Sequence, residues 1–93
     1  MGLLSGPSSG IIARAPREVV LLDRAIRDLL GIQALERQMI AREVDKLAMD
    51  ALPRGVEALE GRFRDHLRLR VGRFRLLYKV ADGELTVVAV MGD

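Results

Sequence analysis

The chain has 93 residues, about half of them hydrophobic, with 15 basic against 13 acidic side chains and no cysteine. That length suits one domain with a modest core and excludes a multidomain arrangement. Lacking cysteine, the chain has neither disulfides nor thiolate metal sites, which fits a reducing cytoplasm, and its one histidine cannot hold a zinc ion alone. Its longest apolar runs, at residues 19–22 and 85–91, are far shorter than the roughly 20 residues of a bilayer span, so no membrane partner is expected.

The opening residues 1–16 are rich in Gly, Ser and Pro, lack a basic signal-peptide start, and are read as a flexible tail outside the fold; residues 17–93 form the expected domain. From Arg17 to Leu22 the order Arg-Glu-Val-Val-Leu-Leu predicts a first strand with a buried apolar end. Asp23 stands where a helix N-cap would be, Ala25, Ile26, Leu29 and Leu30 recur at helical spacing, and Gly31 can stop the helix by taking a positive φ. In the next segment Ile32, Leu35, Met39, Val44, Leu47, Ala48 and Ala51 fall near one face, predicting a second helix that ends at or before Leu52 because Pro53 and Gly55 follow. The two helices form a hairpin.

Beyond the loop of residues 54–61, Phe63, Leu67, Leu69 and Val71 lie on one side of an extended chain, with Arg64, His66, Arg68 and Arg70 on the other. Gly72 marks a tight connection. Arg73 and Arg75 then alternate with Phe74, Leu76, Tyr78 and Val80, and Asp82-Gly83 is a two-residue hairpin signal before the apolar run Leu85 to Met91, placed inside the sheet. The expected fold class is α+β, in the order β-α-α-β-β-β, with the helix hairpin packed on one face of a mainly antiparallel four-stranded sheet.

Charge concentrates in one segment. Residues 1–53 balance seven basic groups against seven acidic, and residues 80–93 have three acids and no base. Residues 54–79 set eight basic groups (Arg54, Arg62, Arg64, Arg68, Arg70, Arg73, Arg75, Lys79) against three acidic ones. Arginines at every second strand position project from one face, where they repel one another. Such a face is either an ordinary solvated surface or an anion site, since guanidinium forks bind phosphate in a bidentate manner and stay charged at any working pH.

The stretch from Leu59 to Val80, Leu-Glu-Gly-Arg-Phe-Arg-Asp-His-Leu-Arg-Leu-Arg-Val-Gly-Arg-Phe-Arg-Leu-Leu-Tyr-Lys-Val, resembles the signature run of the RelE/ParE toxin superfamily, in its RelE-like branch. Pro53 and Gly55 match that family's loop before its second strand; over residues 17–52 the resemblance rests on element order. The resemblance implies the toxin of a type II toxin–antitoxin system, an mRNA interferase that cuts message in the ribosomal A site without a metal or cofactor. Its implied partners are a cognate protein antitoxin, in a hetero-oligomer, and the ribosome with its mRNA, all in the cytoplasm. By position it implies Arg75 as the phosphate-stabilising catalytic arginine and Arg68 as a catalytic or RNA-contacting one, with RNA binding spread over Arg70, Arg73, Arg64, Arg62 and Lys79. His66 falls where the family carries a lysine and is a candidate proton carrier or an ordinary solvated residue. Tyr78, on the side of Phe74 and Leu76, reads as core with a tethered hydroxyl.

The pattern departs at its end. The family's last strand runs into Gly-(His/Lys)-Arg and a tail bearing tyrosine, whereas this sequence reads Met91-Gly92-Asp93, which implies weakened or absent cutting. A ParE-like inhibitor of DNA gyrase and an antitoxin-binding module that does not cut remain the alternatives.

Overall fold

The computed structural model describes residues 16–92. The N-terminal tail expected over residues 1–16 lies almost wholly outside that span, as does Asp93, so neither expectation is addressed. The elements are β1 (Glu18–Leu21), α1 (Asp23–Leu30), α2 (Ala34–Met49), β2 (Glu57–Ala58), a 3-10 turn (Gly61–Phe63), β3 (Leu67–Val71), β4 (Phe74–Ala81) and β5 (Glu84–Gly92). They form a five-stranded mixed sheet in the order β1-β5-β4-β3-β2, parallel between β1 and β5 and antiparallel elsewhere. The two helices pack on one face, so the expected α+β class and element order hold.

Alternation along the strands decides the faces. Leu69, Val71, Phe74, Leu76, Tyr78, Leu85, Val87 and Val90 point toward the helices and join Ala25, Ile40, Val44, Leu47 and Ala51 in one core. The Tyr78 hydroxyl donates a buried 2.7 Å hydrogen bond to the Ala51 carbonyl, just past α2, so its reading as core with a tethered hydroxyl is borne out. Burial, with the Asp50 carboxylate adding to it, pushes its pKa up to about 12.

Several local expectations are corrected. Leu22, not Asp23, is the residue before α1, and Asp23 opens the helix, where its charge suits the positive end of the helix dipole. Gly31 ends α1 with φ at −87°, so the stop needs no left-handed backbone. The Arg37 guanidinium helps there, donating to the carbonyls of Leu29 and Ile32 at 3.0 and 2.8 Å. On α2 the expected Val44, Leu47 and Ala48 are buried together with Ile40, whereas Leu35 is 80 % exposed, Met39 lies at the rim, and Ile32 precedes the helix. Strand β1 is an edge, and its Val19 and Leu21 are half exposed instead of buried. They flank an open apolar cavity of about 260 Å³ lined also by Leu29, Ile40, Ala41 and Val44.

The sheet gains a fifth strand, the two-residue β2, from a segment read as loop. Residues 61–65 are turn, so β3 begins at Leu67 and not at Arg62, and Phe63 leaves the core to stand 43 % exposed. Gly72 takes φ +61° in a two-residue turn that pairs Val71 with Phe74; a Cβ there would also lie 2.8 Å from the Met39 methyl. In the Asp82-Gly83 hairpin only Gly83 adopts positive φ. Strand β5 is interior, as expected, between β1 and β4. Its register shifts opposite Leu77 and Tyr78, leaving Val88 without a partner on β4, and the Asp28 carboxylate of α1 accepts the Val90 N–H at 2.9 Å.

Candidate nucleic-acid interface

Register builds the face of the sheet that points away from the helices. Arg70 on β3 sits directly opposite Arg75 on β4, whose other neighbour is Met91 of β5. One step along, Arg68 lies between Glu57 of β2 and Leu77 of β4, and Leu77 in turn faces Ala89. A step further, Lys79 faces Thr86. His66 precedes β3, but the Leu59 N–H donates to its carbonyl at 3.1 Å and carries the ladder on. In that register His66 stands at the Lys79 end. The result is a basic strip running along β3 and β4 over buried Leu77 and Ala89.

Arg70 and Arg75 face each other across β3 and β4, so two guanidinium side chains leave the same side of the sheet next to one another, a pairing suited to one anion. Arg70 donates to the Gly72 carbonyl at 3.3 Å, which fixes it beside the turn. Arg68 donates through Nε to Glu57 at 2.9 Å; its side chain is 34 % exposed and that of the glutamate 61 %. The strip therefore contains a carboxylate that the sequence reading did not select. No signal in the sequence pointed to it, because Glu57 meets Arg68 only through the pairing of a two-residue strand.

Of the residues chosen from sequence, Arg75, Arg68, Arg70 and Lys79 come together on this face, with His66 at its end. Arg62 and Arg64 lie in the turn before β3, exposed, and not on a strand face. Arg73 goes elsewhere. Placed in the two-residue turn, it forks onto Glu36 of α2 at 2.8 and 3.0 Å and stacks at 4.6 Å over Phe74, on the helix side. The expectation that it shares a face with Arg68, Arg70 and Arg75 is corrected: a two-residue turn breaks the alternation that a continuous strand would impose. Those bonds from Arg73 hold the Glu36 carboxyl below its ordinary pKa.

His66 is half buried. Its backbone N–H donates to the Phe63 carbonyl at 2.8 Å, and its ring stands perpendicular to that of Phe63 with centroids 5.4 Å apart. Nδ1 is buried and has no hydrogen-bond partner, so a proton exchanged with a ligand would pass through Nε2.

A helix hairpin laid over one face of a mixed sheet is the arrangement of a class of small α+β proteins, the RelE-like fold. The chain adopts it. The toxin–antitoxin complex RelBE2 from Mycobacterium tuberculosis superimposes with a TM-score of 0.76 at 22 % identity, covering 85 % of this chain and 100 % of that one. The archaeal RelE–RelB complex from Pyrococcus horikoshii gives 0.72 at 21 %, over 84 % and 96 %. The isolated RelE toxin of E. coli gives 0.70 at 16 %, over 82 % and 83 %. No protein-family model and no curated protein matches the sequence. Among the described residues no helix is long and apolar enough to cross a membrane.

Proposed function

We propose that this protein is the toxin of a type II toxin–antitoxin pair, acting in the cytoplasm as a ribosome-dependent mRNA endonuclease. The observation that carries the reading is the facing pair Arg70 and Arg75 on the helix-free side of a RelE-like sheet. A strip of fixed cations suits a polyanion, and phosphate fits the guanidinium fork.

The reaction proposed is transesterification within the RNA. The 2′-oxygen forms a bond to the adjacent phosphorus as the bond from phosphorus to the 5′-oxygen breaks; a proton leaves the 2′-hydroxyl and another reaches the departing 5′-oxygen. Arg75, with Arg70 beside it, offsets the charge that builds on the phosphorane oxygens. Arg68, held by Glu57, presents a guanidinium of fixed orientation next along the strip. His66 is the candidate proton carrier through Nε2, and Lys79, Arg62 and Arg64 contact the flanking backbone.

The partner that restrains the toxin is a protein antitoxin, as in the RelB-bound neighbours. The apolar cavity beside Val19 and Leu21, together with exposed Leu30, Leu35 and Met39 at the helix hairpin, suits an apolar segment of such a partner. Primer extension on mRNA under translation tests the activity. Cuts within A-site codons that disappear in Arg75→Ala support it. Gyrase inhibition without cuts would replace it with a ParE-like activity, and neither effect would leave antitoxin binding alone.

A further inference from the structure

We infer that Phe63 is a stacking platform for a nucleobase of the bound RNA, an inference that rests on the RNA-binding reading above. Of the two phenylalanines, Phe74 is buried at 4 % exposure, whereas Phe63 stands 43 % exposed in the connection between β2 and β3. A large aromatic outside the core forgoes the burial that would ordinarily hold it. This one is nevertheless held. The Phe63 N–H donates to Glu60, the Arg64 N–H to Gly61 and the His66 N–H to the Phe63 carbonyl, at 3.3, 3.2 and 2.8 Å. The Phe63 ring packs perpendicular to that of His66 while the residue keeps 43 % of its surface exposed.

Its surroundings select the ligand. Arg62 and Arg64 flank the ring in sequence and are exposed, with the exposed carboxylates of Glu60 and Asp65 beyond them. From His66 to the Arg70 and Arg75 row is four strand positions, roughly 13 Å at about 3.3 Å each, a distance that a short single strand spans. An exposed ring between arginines at the end of a basic strip is the arrangement by which proteins bind single-stranded nucleic acid: cations track the phosphates and an aromatic takes a base. A protein partner would need apolar neighbours, and those flanking Phe63 are charged. The platform would grip an unpaired base a few nucleotides from the scissile phosphate and so set the reading position along the message.

The test uses the full chain and two short single-stranded RNAs of equal length and phosphate count, one with all its bases and one abasic. Binding is followed by fluorescence anisotropy for the native protein, Phe63→Leu, Phe63→Trp and Arg75→Ala. Stacking of one base corresponds to a loss of about fivefold or more when the aromatic is removed. Phe63→Leu is therefore expected to weaken the base-bearing RNA by at least that factor and to leave the abasic RNA unchanged, with Phe63→Trp restoring affinity. The chain has no tryptophan of its own, so the emission of Phe63→Trp reports on this position alone, and quenching by the base-bearing RNA only is expected. Equal losses on both RNAs, no loss on either, or an unquenched tryptophan would overturn the inference. Should Phe63→Leu fail to fold, the tryptophan arm decides. Arg75→Ala weakens both RNAs alike if the underlying reading holds; no effect on either would remove that reading instead.

Discussion

Single hydrogen bonds set much of the geometry on which the strip depends. Tyr78 gives the plainest case, because its hydroxyl serves the Ala51 carbonyl in a place with no access to water. Tyr78→Phe leaves that carbonyl unpaired and is expected to lower stability by about 1–3 kcal/mol, measured by denaturant unfolding. The pH dependence has a definite sign. Folding raises the pKa of this phenol, so the stability it contributes is fully present below the unfolded value near 10 and is lost as pH rises toward about 12. The gap in melting temperature between native protein and Tyr78→Phe should shrink over that interval. Asp28 is comparable: Asp28→Ala orphans the Val90 N–H beside the irregularity in β5 and is expected to cost about 1–3 kcal/mol in the same assay.

At the scale of elements, the turn between β3 and β4 links the helices to the basic face. Its Gly72 carries positive φ under the Met39 methyl, Arg73 reaches back to Glu36, and Arg70 bonds the Gly72 carbonyl from the other side. Gly72→Ala is expected to lose about 1–2 kcal/mol through the left-handed backbone alone, with Met39 displaced in addition. The Arg73 pairing depresses the Glu36 pKa, so its stabilisation is present above the ordinary carboxylate range and is lost as pH falls through the folded value. Glu36→Gln should accordingly melt below the native protein at neutral pH and match it in acid. This turn also separates what local pattern in the sequence determines from what it does not. Strand alternation correctly placed Arg68, Arg70 and Arg75 together, since period two survives any detail of pairing. It misplaced Arg73, because a two-residue turn resets the phase. It misplaced Phe63 as well, since residues 61–65 coil where an extended run had been expected. Glu57 was out of reach, as cross-strand neighbours follow from register and not from local pattern. Helix α2 was visible as an element and Val44, Leu47 and Ala48 were placed on its buried face, but Met39 was given the place of Ile40.

For the molecule as a whole, the sheet divides the work between two faces. Helices and core occupy one side, and the other collects the basic side chains of β3 and β4. The fold itself was legible because each element carried its own signal: an apolar interior strand, a helix bounded by Pro53, and a hairpin at Asp82-Gly83. The proposed activity rests on the family resemblance and the strip together, and its chemistry would leave a mark on the product. Attack by the 2′-oxygen expels the 5′-oxygen, so each downstream fragment must begin with a 5′-hydroxyl. Mapping and chemically typing the new mRNA ends formed in a reconstituted translation reaction is therefore the most direct measurement. The account expects 5′-hydroxyl ends inside A-site codons with the native protein and none with Arg75→Ala; ends bearing a 5′-phosphate, or cuts undiminished in Arg75→Ala, would contradict it.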